Sequence, residues 1–175
     1  MFSDPKKNIK QFGIREGDIV VDLGSGTGVY SLLAVSLVGH HGKVYAIDIN
    51  RDLIARTKKE AIDAEMKNLE ILWGDVEKHL GTKLAENTAH KAIVSNLLFQ
   101  IEDKAVFLKE LKRILKPEGQ VLVVDWLESF GGIGPKPVHV VSKDRARSYF
   151  ENNGFTFERE IVAGDHHYGI IYKYV

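Results

Sequence analysis

The most chemically suggestive stretch of this sequence is Val20-Val21-Asp22-Leu23-Gly24-Ser25-Gly26-Thr27-Gly28. A short apolar, β-branched run leads into it and an apolar helical run leads out, so it reads as the turn between a strand and a helix. Glycines let a backbone turn sharply and approach a ligand closely. The helix beyond offers free N–H groups at its start. Three more polar residues recur at corresponding places: Asp48 closes Lys43–Asp48, Asp75 stands in Trp73-Gly74-Asp75-Val76, and Asn96 follows Ala92–Ser95. With Asp22, each falls at the C-terminal end of an expected strand, the edge along which open α/β sheets bind ligands.

Charge narrows the ligand. A dinucleotide loop follows G-x-G-x-x-G, whereas this chain has G-x-G-x-G, its third glycine one residue early. A carboxylate two residues before Gly24 repels a pyrophosphate. It suits S-adenosylmethionine (SAM), which carries an ammonium and a sulfonium. In that reading Asp48 accepts from both ribose hydroxyls, as an acid at this place also does for NAD. Asp75 accepts from the adenine amino group while Val76 covers the ring, and Asn96 lies beneath the sulfonium. Tyr30 either packs on the methionine end or serves only helix packing. The competing structural readings are an ordinary turn for the loop, a helix cap for Asp48 and turn chemistry for Gly74-Asp75.

SAM brings an already activated methyl group. Its protein must align the acceptor and exclude water, worth up to about 7–11 kcal/mol for well-oriented reactants. A general base is optional. The candidates are His139, His166, His167 and Tyr168, since histidine titrates near neutrality; a surface or structural role competes for each. Phe2, Phe99, Trp126 and Phe130 are candidates for an apolar acceptor wall. Without cysteine there is no thiolate site, and no pair of histidines at helical i, i+4 spacing supports a metal centre, so none is expected.

These residues need elements to hold them. Strands are expected over Ile19–Leu23, Lys43–Asp48, Leu69–Trp73, Ala92–Ser95 and Gln120–Trp126. Helices are expected over Val29–Val38, Arg51–Met66 with Asn50 as N-cap, the segment after Asp103 with Phe107, Leu108, Leu111, Ile114 and Leu115 at helical spacing, and Lys143–Asn153. Gly74–Leu84 reads as a loop with a short helix. Lys116-Pro117-Glu118-Gly119 reads as a stop. Residues 1–18 read as an N-terminal helical segment, and 127–142, rich in glycine and proline, as a loop over the active edge. Phe155–Val162 and Tyr168–Val175 close the chain as an antiparallel pair. Short apolar strands separated by helices predict a parallel sheet covered on both faces. Nothing suggests a second domain, so residues 1–175 read as one.

The 175 residues carry 24 Lys plus Arg against 24 Asp plus Glu, and this neutrality weighs against a nucleic-acid partner. His40, His41, His79 and His90 read as solvent-facing loop residues. No apolar run approaches the roughly 20 residues that cross a bilayer. A cytoplasmic protein, monomeric or homodimeric, is expected.

VVDLGSGTG followed by YAIDIN, WGD and LKRILKPEGQVLVVDW resembles the class I SAM-dependent methyltransferases, most closely the ubiquinone and menaquinone C-methyltransferase group. The likeness covers roughly Phe2 to Trp126 well and the C-terminal strands loosely. It implies a Rossmann-like, doubly wound seven-stranded sheet of order 3-2-1-4-5-7-6 with strand seven antiparallel. It implies a SAM pocket lined by Asp22, Gly24, Ser25, Gly26, Gly28, Asp48, Ile49, Asp75, Val76 and Asn96, with S-adenosylhomocysteine (SAH) as product. Enzymes of this class that methylate nucleic-acid amines often carry Asn/Asp-Pro-Pro-aromatic after strand four. Here that place reads Ser95-Asn96-Leu97-Leu98-Phe99, which disfavours a base amine. A small-molecule acceptor is expected; a protein or RNA acceptor, a non-catalytic SAM-binding subunit and a nucleotide-dependent oxidoreductase remain the alternatives.

Overall fold

The computed structural model describes residues 3–175; Phe2, a candidate for the acceptor wall, lies outside them. The chain runs α1 (Pro5–Phe12), β1 (Ile19–Leu23), α2 (Val29–Val38), β2 (Lys43–Asp48), α3 (Arg51–Asp63), β3 (Leu69–Trp73), β4 (Ala89–Ser95), α4 (Lys104–Ile114), β5 (Leu115–Trp126), α5 (Lys143–Glu151), β6 (Phe155–Ile161) and β7 (His167–Tyr174). The strands form one sheet of order β3-β2-β1-β4-β5-β7-β6. β1 to β5 are parallel, and β7 runs antiparallel to both β5 and β6. This is the topology that the family resemblance implies.

Alternation along each central strand feeds two apolar layers. Val21, Ile47, Ala92, Val94, Val121 and Val123 join one, against α4 and α5. Val20, Val44, Ile93, Leu122 and Val124 join the other, against α1 and α2. A strand buried on both faces is apolar at nearly every position, which is why these segments read as near-continuous runs. The helix starts are fixed locally: the Asn50 side chain accepts from the N–H groups of Asp52 and Leu53, and Asp103 accepts from those of Ala105 and Val106, the hydrogen-bond pattern of an N-cap.

Several boundaries differ from expectation. β5 starts at Leu115, so the Lys-Pro-Glu-Gly stretch lies inside a strand whose register against β4 slips between Ala89 and Lys91. The proline still ends α4, but its fixed φ is compatible with an extended segment. α3 ends at Asp63, short of Met66. β4 begins at Ala89, which makes His90 a strand residue; its Nδ1 accepts from the Ile19 N–H at 2.9 Å, so it is not a free loop residue. The 74–84 segment forms turns and no helix. The buried Glu110 carboxylate on α4 holds these turns, accepting from the Leu80 and Thr82 N–H groups, the Thr82 hydroxyl and Arg113.

The ends of β1 to β5 converge on one edge. Because β7 is antiparallel to β5, Trp126 stands opposite His167, and the last strand begins where the others finish. Loops after β1, β2, β3, β4 and β5 and the start of β7 therefore meet around one ridge.

Candidate active site

The ridge is the glycine loop. Ser25 N–H donates to the Ile47 carbonyl at 3.0 Å and Gly28 N–H to the Ser25 carbonyl at 2.8 Å. Gly24, Gly26 and Gly28 all have positive φ, at 67°, 54° and 76°, a region that side chains make costly. Space imposes a second demand. A Cβ at Gly24 would lie 2.6 Å from Leu97 Cδ1, and one at Gly28 would lie 2.5 Å from Thr57 Cγ2.

Two cavities flank the loop. One, of about 370 Å³, is lined by Asp48, Ile49, Asp75 and Val76; the other, of about 310 Å³, by Asp22, Ser25, Tyr30 and Asn96. Gly24, Gly26 and Gln100 line both, so they are two halves of one bent groove. Asp48, 9% exposed, ties the loop to β2: Oδ2 accepts from Gly26 N–H and Oδ1 from Asn50 N–H, each at 2.8 Å. A carboxylate has about four lone-pair sites, leaving capacity for a ligand hydroxyl.

Asp22 is 2% exposed. Its Oδ2 accepts from the Ser31 hydroxyl at 2.6 Å. Burial pushes its carboxyl up to about 6, against the Ser31 hydrogen bonds, and Asp48 adds repulsion. A buried acid poised this way favours a cation nearby. Ser25 Oγ is buried without a protein partner. Tyr30 pairs with the Asn8 side-chain amide at 2.9 Å, which ties α1 to this half of the groove. In the other half, Lys78 and the Glu77 N–H hold the Asp75 carboxyl below its ordinary range. Glu77 Oε2 accepts from Glu102 and Asp103 N–H, joining the β3 loop to the β4 loop. These groups fit SAM: hydroxyl acceptors in one half, buried negative charge in the other, and a backbone bare enough for close approach.

Asn96 adopts φ 53°, an αL conformation that asparagine tolerates better than most residues. Its N–H donates to the Val124 carbonyl at 2.8 Å. Its Oδ1 lies 3.0 Å from His167 Nε2, and the His167 ring sits 4.3 Å from that of Trp126. His167 is 4% exposed, with Nδ1 unpartnered, and burial and the neighbouring His166 push its pKa down. A neutral His167 donates Nε2–H to Asn96 and keeps its lone pair on Nδ1.

The other base candidates lie apart. Tyr168 is buried in the core, and its hydroxyl lines neither half of the groove; burial raises its pKa far beyond the ordinary phenol value. His166 stacks on Phe130 at 3.9 Å and pairs with Glu128 at 3.1 Å. His139 ends the 3-10 turn Pro137–His139 and lines a separate cavity with Phe99. Among the described residues no group of three or more acids and histidines is placed to hold a metal ion.

Two residues escaped sequence reading. Gln100 borders both halves of the groove and donates to the Asn96 carbonyl at 2.8 Å; its polarity inside Leu97-Leu98-Phe99-Gln100-Ile101 was the available signal. Asp125, 1% exposed, accepts from Leu98 N–H through Oδ2 and from Trp126 N–H through Oδ1, each at 2.8 Å. A lone acid in the apolar run Val121–Trp126 was its signal, since buried charges exist only where hydrogen bonds hold them.

Sheet order, glycine loop and groove together define a class I SAM-binding fold. A family model described as a methyltransferase domain matches residues 14–154. A SAM-dependent methyltransferase from Aquifex aeolicus superposes with TM-score 0.90 at 30% identity, over 99% of this chain and 91% of that one. Demethylmenaquinone methyltransferases of Oceanobacillus iheyensis and Staphylococcus aureus are 25% and 28% identical over 120 residues, or 69% of this chain. The match spans 49% and 48% of those proteins, so the chain spans about half the length of the curated relatives it matches. The chain belongs to the class I SAM-dependent methyltransferase family, whose methyl donor is SAM. Among the described residues no helix is long and apolar enough to cross a membrane.

Proposed function

We propose that this chain, as one domain, transfers the methyl group of SAM to a small-molecule acceptor. The observation that carries the reading is the bent groove that places Asp48 on one side of the glycine loop and Asp22 on the other. When bound, SAM supplies a methyl carbon whose bond to sulfur breaks, the electron pair staying on sulfur, as a lone pair of the acceptor bonds to that carbon, leaving SAH. Asp48 holds the ribose, Asp75 and Val76 the adenine, and Ser25 and the buried charge of Asp22 the methionine end. Asn96, fixed by His167 and Gln100, borders the transfer site. The 127–142 loop faces the acceptor, and His139, which lines the neighbouring cavity beyond Gln100 and not the groove itself, is the base candidate on that side.

The small-molecule reading is supported by neutral overall charge and by the demethylmenaquinone relatives. Calorimetry with SAM, SAH and NADH tests the cofactor: SAM and SAH bind and NADH does not. Tight NADH binding without a SAM response overturns the reading. Incubation with methyl-labelled SAM and fractionated extract then tests the acceptor, and label in RNA or protein instead of small metabolites refutes that part.

A further inference from the structure

Past Gln100 and Ile101, which also border the adenosine half of the groove, a separate cavity of about 500 Å³ opens between the β4 loop and the end of the 127–142 loop. Phe99, Ile101, Val138 and Val141 give it apolar walls. Its charged lining is one-sided: Lys104, Lys136 and Arg145, against Glu102 as the one carboxylate among the described residues.

The cations there lack the partners that their neighbours have. On α5, Lys143 pairs with Glu160 at 3.0 Å and Arg147 with Glu151 at 2.8 Å. Arg145, between them and facing the cavity, reaches the Tyr149 hydroxyl at 2.9 Å and lies 5.9 Å from the centre of that ring, with no carboxylate partner among the described residues. Lys104 is steadied by the Ile101 carbonyl at 2.7 Å and lies 5.8 Å from the centre of the Tyr149 ring. No carboxylate among the described residues pairs with Lys104, Lys136 or Arg145. Cations without a carboxylate partner, set around a mixed cavity with apolar walls on one part of its lining, form a receptor for an oxyanion on an apolar body, with a guanidinium able to bind it in two-point fashion.

We propose that this cavity receives the methyl acceptor, and that the acceptor is an organic acid: an apolar ring body against Phe99 and Val141, with a carboxylate or phosphate held by Lys136, Arg145 and Lys104. This rests on the methyl-transfer reading above and narrows its substrate class. The oxyanion anchors the molecule and the body is held toward Gln100 and the groove.

The test uses two fluorescent probes of similar shape, 1-anilinonaphthalene-8-sulfonate and the neutral N-phenyl-1-naphthylamine. The sulfonate binds the unmodified protein at least about ten-fold tighter than the neutral dye, as charge-assisted recognition requires. The double charge reversal K136E/R145E, at two exposed positions, removes that preference while affinity for the neutral dye and for SAH stays within about two-fold, as expected for independent sites. Equal binding of the two dyes, or a preference that survives charge reversal, overturns the proposal. Methyl label from SAM appears in extract metabolites that an anion exchanger retains at neutral pH. Label in neutral lipids overturns the organic-acid acceptor while leaving methyl transfer intact. SAH calorimetry on the same samples keeps the two readings apart: failure to bind SAH defeats the methyl-transfer reading, while the dye comparison judges the cavity's chemistry independently.

Discussion

The two sides of the catalytic edge are built from different materials. From β1 to the β4 loop, the groove is framed by backbone, glycines with positive φ and carboxylates whose oxygens are engaged by N–H groups or hydroxyls. Beyond Gln100 the lining passes to exposed side chains on a loop and helix: Lys136, Val138, His139 and Arg145. The first side offers a ligand atoms that cannot move without breaking the fold. The second, where the acceptor is proposed to bind, offers side chains that can change at little structural cost, as loops on a rigid scaffold allow.

If that contrast is right, substitutions on the first side cost cofactor binding and those on the second do not. The largest effect is expected for Asp48→Ala. It removes the acceptor for Gly26 and Asn50 N–H as well as the proposed ribose contact. With charged hydrogen bonds worth about 1.5–3 kcal/mol each, SAH affinity falls about 100-fold or more. His139→Ala leaves it unchanged within about two-fold. Calorimetry on the pair decides, and comparable losses in both erase the distinction.

Asp125→Asn comes next and acts on stability. Both oxygens of Asp125 accept from backbone N–H groups, so an amide must point its own N–H at one of them. A buried unmet donor costs about 1–3 kcal/mol, and a loss near 2 kcal/mol in denaturant unfolding is expected. Turnover falls further than SAH affinity does, because the turn that Asp125 braces carries Asn96 and Gln100. An unchanged unfolding midpoint refutes the bracing role.

The same contrast explains what the sequence discloses. β1, β2, β3 and α2 have the residues expected of them because apolar periodicity and glycine punctuation are local signals. The glycine loop was legible because its demands are written in residue types: no other residue tolerates positive φ with Leu97 or Thr57 in the path of a Cβ. β4 and β5 begin earlier than expected because pairing between them, not composition, extends a strand through Lys116-Pro117-Glu118-Gly119. Gln100 and Asp125 act through contacts brought together across the sheet, which no spacing announces. That Arg145 has no carboxylate partner among the described residues is invisible in a sequence whose total charge is balanced; it emerges only when Lys143 and Arg147 are seen to pair with Glu160 and Glu151.

At the junction of the two sides, His167→Phe removes the donor to Asn96 Oδ1, and turnover is expected to fall about ten-fold, the scale of one neutral hydrogen bond. His167→Gln, whose amide N–H can reach the same oxygen, restores part of it. His166→Ala, on the rim, changes turnover by no more than about two-fold. Equal losses in His166→Ala and His167→Phe would assign the junction to the rim.

The smallest effect is a pH dependence, and its sign follows from Asp22. With its carboxyl raised to about 6 from an ordinary 3.8, the free protein keeps a proton that the unfolded chain has released between those values. Stability therefore falls as pH rises from about 4 to 6 and levels off above; Asp125, also raised to about 6 by burial against its backbone hydrogen bonds, adds with the same sign. A bound cation reverses the preference by favouring the ionised acid. SAM binding must then release a proton near pH 5.5, and its affinity rises several-fold from pH 5 to 7.5 before flattening. SAH, without the sulfonium, shows a weaker slope. Asp22→Asn flattens the SAM profile while Asp125→Asn leaves it in place, so the two acids separate although their pKa values coincide. Calorimetry in buffers of different ionisation enthalpy counts the proton directly. A SAM affinity that stays level across pH 6 would mean that Asp22 serves only Ser31 and the fold, and the negative half of the groove would lose its electrostatic role.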